Sequence, residues 1–292
     1  MINKIIVPSE WEELKEKFLS KGKKLIVLGG SDSGKSTFIL YLANSIASTG
    51  KKVGILDLDI GQSNIGPPGT IGYGVLEKEI ESLDSLQPKK MVFIGAVSPK
   101  GNLLQIVVGA RKLLDSMEME NLDYILIDTT GLVDGLIAEV LKHNKIECLN
   151  PDFIVLFQKE NERENLIKPF LYDGKEIVRL KINEIVRERS RIERIEYRNR
   201  KFSEYFKNSK RVEIFFKEHN ILGYNINKFD PINNSIVGLL DKERFLLYLG
   251  ILEKFNREKM SIIIDSPIGE EKGIKYIKFS NLIYNIKTFA PS

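Results

Sequence analysis

The sequence is poor in the residues that staple or metallate a small fold. It has one cysteine, Cys148, so no disulfide framework forms within the chain and a cysteine-rich zinc site is excluded. Its two histidines, His143 and His219, lie far apart and read as surface or packing residues rather than metal ligands. No apolar run approaches the roughly 18 residues that span a bilayer. The N-terminal stretch MINKIIVPSEWEELKEKFLSKGKK lacks the apolar core and small-residue cleavage site of a signal peptide. A cytoplasmic protein without a membrane partner is therefore the expectation. Neither sign of charge dominates: the formal net charge is +4 and the pI near 8.8. That excess does not by itself call for nucleic acid, and the placement of the arginines matters more. What the chain has is core. Its 292 residues, 42% of them hydrophobic, suffice for one large domain, alone or with a small one, and exclude wholesale disorder.

The stretch LGGSDSGKST, Leu28 to Thr37, fits the phosphate-holding pattern G-x-x-x-x-G-K-[ST]. Gly29, Gly30, Ser31, Asp32, Ser33, Gly34, Lys35, Ser36 and Thr37 form this loop. Its N–H groups and the following helix N-terminus wrap the β-phosphate. Lys35 then reaches the β- and γ-phosphates, and the Ser36 hydroxyl binds Mg²⁺. The loop follows an expected strand and opens an expected helix, the context that separates a nucleotide site from a chance match.

Strands and helices alternate around it. Ser9, with Glu12 and Glu13 behind it, reads as a helix start, and Trp11, Leu14 and Phe18 make one apolar face. KKLIVLGG, KKVGILDLDIGQ, KKMVFIGAVSP, LDYILIDTTG and PDFIVLFQKEN read as strands. KSTFILYLANSIASTG, NLLQIVVGARKLLDSME and LIAEVLKHNKI read as helices. The fold class is α/β: a P-loop NTPase with a mostly parallel sheet covered by helices on both faces. Ligands of such sheets sit at the carboxyl ends of the strands. The phosphate loop, Asp57 and Asp59, Asp128 and Gln158 all fall there. From Arg179 to Arg211 the chain is dense in charge and expected to be mostly helical. From about Ile221, short strands with Gly and Asn turns suggest a small C-terminal β-containing domain. The expected division is 1–210, with an arginine-rich lid at about 179–210, and 211–292.

Asp128, ending an apolar strand, has the form of a second magnesium-side carboxylate, with helix capping as the plainer role. Asp57 and Asp59 share one side of a strand end. One suits Mg²⁺ through water and the other the proton of an attacking hydroxyl; either also suits a cap or a pair with Lys35. Seven arginines lie between Arg187 and Arg211. Interleaved glutamates make a solvated helix face the bland reading. Ser190 and Glu193, however, form a capping box. A helix starting there puts Arg189 in the loop before it and Arg194 in its first turn, both able to face an anion.

GGSDSGKST, DLDIGQSNIGPPGTIG, DTTGL and RERSRIERIEYRNRKFSEYF, in this order, resemble the polynucleotide 5′-hydroxyl kinases of pre-mRNA cleavage and pre-ribosomal RNA processing and their archaeal and bacterial relatives. The resemblance covers residues 20 to 210 and continues more weakly in SIVGLLDKERFLLYLGIL. It implies transfer of the γ-phosphate of ATP, with Mg²⁺, to the 5′-hydroxyl of RNA or DNA, and RNA-processing protein partners. It implies Asp59 as general base and Gln62 near the acceptor or metal. Thr129, Thr130, Gly131 and Leu132 become an acceptor clasp, and Arg189, Arg194 and Arg198 the lid arginines. Leu132 stands where the family often has an aromatic, which puts base stacking in question. The N-terminal domain of larger members has no counterpart before Lys23.

Two other classes compete. A GTP switch or metallochaperone-like NTPase would suit DTTG and the N-K-x-D match Asn227–Asp230, but that match falls beyond the arginine segment and precedes a proline. An ATP-binding scaffold of a processing complex would tolerate broken motifs; here Lys35, Ser36, Asp59, Arg189 and Arg194 are all present.

Overall fold

A computed structural model describes residues 7–182, 187, 189–223, 231–269 and 271–284; Asn227–Asp230 lie outside them. The elements are Ser9–Lys21 (α1), Lys24–Gly29 (β1), Lys35–Ala47 (α2), Val53–Leu58 (β2), Thr70–Leu76 (β3), Lys90–Phe93 (β4), Leu103–Glu118 (α3), Tyr124–Thr129 (β5), Leu136–Leu149 (α4), Phe153–Gln158 (β6), Glu176–Lys181 (β7), Arg191–Phe206 (α5), Lys210–Phe215 (β8), Asn220–Leu222 (β9), Ser235–Leu240 (β10), Leu246–Asn256 (β11), Ser261–Ser266 (β12) and Tyr276–Ile283 (β13).

The first sheet has the order β4-β3-β2-β5-β1-β6-β7. The strands from β2 to β7 pair in parallel, and β3 pairs antiparallel with both β2 and β4. Side chains alternate across it. Leu25 and Val27 of β1 join Trp11, Phe18, Phe38 and Leu42 of α1 and α2 on one face. Ile26 and Leu28 join Ile106, Leu113, Leu141 and Ile146 of α3 and α4 on the other. The fold is thus the expected P-loop NTPase type with a C-terminal β domain.

Three local expectations need correction. Pro8, not Ser9, holds the N-cap of α1, and the Ser9 side chain makes no cap bond; proline's fixed φ supplies the extended entry instead. The stretch Thr70–Leu76 is a strand, where no strand was expected. The charged run from Arg179 opens as strand β7, whose residues Arg179 to Lys181 pair with Leu156 to Gln158.

The second sheet, order β8-β12-β11-β10-β13-β9, shares an apolar cluster with the first. Phe93 at the end of β4 packs with Phe202 and Phe206 of α5 and with Ile236, Leu240, Leu249 and Ile251. Tyr205 accepts a hydrogen bond at its hydroxyl from the Leu249 N–H at 2.9 Å. Helix α5 therefore has a charged first half and an anchored second half. Truncation of the buried Phe93 ring to alanine is expected to lower unfolding free energy by about 3–5 kcal/mol in urea denaturation. A loss under about 1 kcal/mol would show that the two sheets do not depend on it.

Candidate active site

The loop between β1 and α2 carries the first part of the site. Gly34, at φ +94, is the N-cap of α2, a left-handed conformation that glycine adopts without strain. Lys35 is buried and donates to the Gly30 carbonyl at 2.6 Å. Burial lowers its pKa, opposed by the charges of Asp128, Asp59 and Asp32. The Ser33 hydroxyl and the Arg194 Nε are buried without a partner among the described residues. Arg163, which sequence reasoning missed, donates to the Phe157 carbonyl at 2.9 Å and lies against Gly30. Unpaired donors, two cations and a helix N-terminus make a cradle suited to phosphate.

Strand ends β2 and β5 bring the carboxylates. Asp128 accepts from the Ser36 hydroxyl at 2.6 Å and from the Thr129 N–H at 2.8 Å. Burial raises its pKa, against the Lys35 charge. Asp57, expected to help hold Mg²⁺ through water, lies at the end of β2. It is buried, and its two oxygens accept from the N–H groups of Asp59, Asn64 and Ile65 at 2.9, 2.6 and 3.0 Å and from the Ser63 hydroxyl at 3.3 Å. One of these donors is on Oδ1 and three are on Oδ2, so Asp57 is tied to the loop that follows β2. Burial and the Asp128 charge push its pKa up. Asp59 lies at the cleft. Its Oδ1 accepts from the Gly61 and Gln62 N–H groups at 2.9 and 3.0 Å, and its Oδ2 has no bond among the described residues.

The lid reaches both parts. Ser190 and Glu193 form the expected capping box at the start of α5. Asp32 of the phosphate loop accepts from the Arg189 N–H at 3.0 Å and from the Arg194 guanidinium at 2.9 Å. Arg189 also donates to Gln62 Oε1 at 3.0 Å. Further along α5, Tyr197 donates to the Ser63 carbonyl and Asp84, and Lys201 donates to the Asn64 carbonyl and Asp84. These docking contacts had no sequence signal. Arg198 makes no such bond among the described residues. Phosphate loop, Asp59, Gln62, Asp84, Arg187, Arg189 and Tyr197 enclose a cleft of about 250 Å³.

The segment after β5 packs tightly on the loop: a Cβ on Gly131 would stand 2.2 Å from the Ser31 hydroxyl. Thr129, expected at the acceptor, is turned inward. Its side chain is fully buried and its hydroxyl donates to the Val27 carbonyl at 2.7 Å. Thr130 is also buried, and Leu132 packs partly buried against the core. Beneath this segment lies Lys142, read from sequence as part of an ordinary helix. Its buried ammonium donates to the Thr129 hydroxyl at 2.8 Å and the Thr130 carbonyl at 2.5 Å.

The chain's family follows from comparison. The family described as mRNA cleavage and polyadenylation factor CLP1 P-loop matches residues 29–208, and the chain belongs to it. A protein named polyribonucleotide 5′-hydroxyl-kinase MJ1315, from Methanocaldococcus jannaschii, is 34% identical over 90% of this chain and 87% of its own. A polyribonucleotide 5′-hydroxyl-kinase from Pyrococcus abyssi, PYRAB01840, is 32% identical over 90% of this chain and 88% of its own. The solved Clp1p of a Clp1p–Pcf11p complex covers 94% of this chain and 79% of its own with a TM-score of 0.74, at 14% identity, a likeness of fold.

Lys145, one turn beyond Lys142 on α4, is fully buried, and its ammonium has no partner among the described residues. Burial pushes its pKa down to about 8. The unfolded chain therefore binds more protons than the folded one between about pH 8 and its ordinary 10.5, and this group's burial cost fades as pH rises through that window. Lys145→Met should be more stable than the parent below pH 8 in thermal unfolding, with the gain shrinking toward pH 10.5. A difference independent of pH would contradict this.

Proposed function

We propose that this chain is a kinase that transfers the γ-phosphate of ATP to the 5′-hydroxyl of RNA. The observation that carries the reading is the meeting of three parts around one cleft: the phosphate loop, the Asp59–Gln62 turn, and lid arginines bonded to Asp32 and Gln62. A nucleotide switch has no use for a basic lid closed over an acceptor-side turn. The kinase names of its relatives support the same reading.

The loop N–H groups and the α2 N-terminus hold the phosphates, and Lys35 exchanges the Gly30 carbonyl for the β- and γ-oxygens. Ser36 and Asp128 would hold Mg²⁺. Their hydroxyl and carboxylate are hard oxygens, and this ion keeps several waters and needs only one or two protein ligands. When bound, it neutralises charge between the β- and γ-phosphates. Asp59 takes the proton of the 5′-hydroxyl on Oδ2, while its Oδ1 stays tied to the turn. Gln62 orients the acceptor. Arg189 and Arg194 stabilise the equatorial oxygens of the passing phosphoryl group, with Arg198, one turn beyond Arg194 on α5, a third cation. Gly131 and the backbone of the β5 clasp bound the acceptor side.

The test is transfer from γ-labelled ATP to a 5′-hydroxyl RNA, with a DNA of the same sequence alongside to read the sugar preference. Asp59→Asn should keep ATP binding and lose about 10²–10⁴ in kcat. Lys35→Ala should lose both binding and transfer. Parent-like turnover in Asp59→Asn would remove Asp59 from the role of base. GTP outperforming ATP in the parent would favour a switch instead.

A further inference from the structure

A second cleft, of about 930 Å³, lies between the two sheets and has no part in the transfer itself. One wall is the segment after β4 with helix α3; the other is the ends of β10 and β13. Its mouth adjoins the acceptor side of the site. Two successive antiparallel pairings make β4 run in the direction of β2, so β4 ends at the sheet edge that carries Asp59. The Val97 carbonyl, just past the cleft-lining Ala96, stands 2.9 Å from where a Cβ on Gly61 would lie.

Four cations line this cleft: Lys112, Lys242, Arg244 and Lys278. None of them forms an ion pair with a carboxylate among the described residues. Lys278 donates only to neutral oxygens, the Phe93 carbonyl at 2.7 Å and Gln105 Oε1 at 3.0 Å. Lys112 donates to the Glu243 carbonyl and lies 4.1 Å from the centre of the Phe245 ring. Two acids lie nearby: Glu243, which also lines the cleft, faces Lys90 at 3.8 Å, and Asp241 accepts the N–H groups of Glu243 and Phe245. Four cations against the one lining carboxylate leave the cleft basic. Burial lowers the pKa of both Lys112 and Lys278. Lys112 feels the charges of Asp241 and Glu243, whereas Lys278 has burial alone and no counter-charge. A mostly buried ammonium of that kind is costly unless an anion completes it. The Arg244 guanidinium lies over the Tyr276 ring, 5.2 Å from its centre, adding a flat surface beside the charges.

We infer that this cleft is the track for the RNA strand that follows the 5′-terminal nucleotide. The inference rests on the kinase reading and extends it to the body of the substrate. A strand whose 5′-hydroxyl meets Asp59 passes Val97 and enters between α3 and β13. Its phosphates meet Lys112 and Lys278 inside and Lys242 and Arg244 at the rim. Phosphate contacts of this kind hold a strand without reading its sequence.

The test compares a dinucleotide acceptor with one of roughly ten nucleotides, a length within the span that single-strand tracks of small domains accommodate. Lys242→Gln/Arg244→Gln alters exposed residues and, apart from the Arg244–Tyr276 stack, leaves the packing intact; Lys278→Gln probes the interior. In the parent, KM for the longer acceptor should be at least tenfold lower than for the dinucleotide. Either variant should raise the longer acceptor's KM several-fold and leave kcat and the dinucleotide KM unchanged. Binding of a fluorescent RNA, read beside turnover, should lose about 0.7 from its log-salt slope per contact removed. A parent that binds RNA in this length-dependent way but transfers no phosphate would contradict the kinase reading and keep the track. Equal affinity for both lengths, or RNA binding unchanged in both variants, would overturn the track and leave the cleft to an acidic protein segment.

Discussion

Asp57 and Asp128 stand side by side because β2 and β5 pair in the register that makes them direct partners. Two buried carboxylates at this spacing repel, and neither persists without compensation. The fold compensates them differently. Asp57 is wrapped by N–H groups of the turn that follows it, which fixes that turn and aims Asp59 and Gln62 at the cleft. Asp128 meets the Ser36 hydroxyl and sits across from Lys35, which fixes the phosphate loop against the sheet edge. One pairing register thus places both the phosphate loop and the Asp59–Gln62 turn. Lys142, drawn beneath the β5 end, holds the clasp in place from below.

The lid is the third body in this arrangement, and Asp32 is its attachment on the phosphate loop, beside those to Gln62, Ser63, Asn64 and Asp84. A carboxylate in a phosphate loop would repel the nucleotide if left alone. Here it is met by two arginines that would otherwise repel each other, Arg189 just before α5 and Arg194 on it, and that helix is anchored by Phe202 and Phe206 against the second sheet. The C-terminal sheet therefore does more than extend the fold. It sets the position of the helix that carries Arg194, and the ends of its strands β10 and β13 wall the second cleft.

Much of this was legible in the residues, for identifiable reasons. The phosphate loop is fixed by spacing, since glycine and lysine positions follow from backbone path. The parallel sheet showed itself in near-continuous apolar strands, and the start of α5 in the capping box of Ser190 and Glu193. What escaped depends on tertiary contact. Thr70–Leu76 is interrupted by Gly72 and Gly74 and so reads as turn until its neighbours pair with it. Glu176–Lys181 alternates charge with Ile177, Val178 and Leu180, as an edge strand does, but merges into the charged run. Asp57 and Asp59 look alike in sequence; only the turn's donors separate the one that shapes from the one that faces the cleft. Lys142 and Lys145 look like a solvated helix face because nothing local shows that the face is covered.

The central claim is that nucleotide and acceptor meet at one sheet edge, so that the phosphoryl group passes directly between them with Asp59 taking only a proton. The stereochemical course tests this most directly: transfer from ATP bearing a chiral γ-thiophosphoryl group to a 5′-hydroxyl RNA. Direct in-line transfer predicts inversion at phosphorus. Retention would require a phosphorylated enzyme intermediate, with a carboxylate such as Asp59 as nucleophile, and would contradict the account.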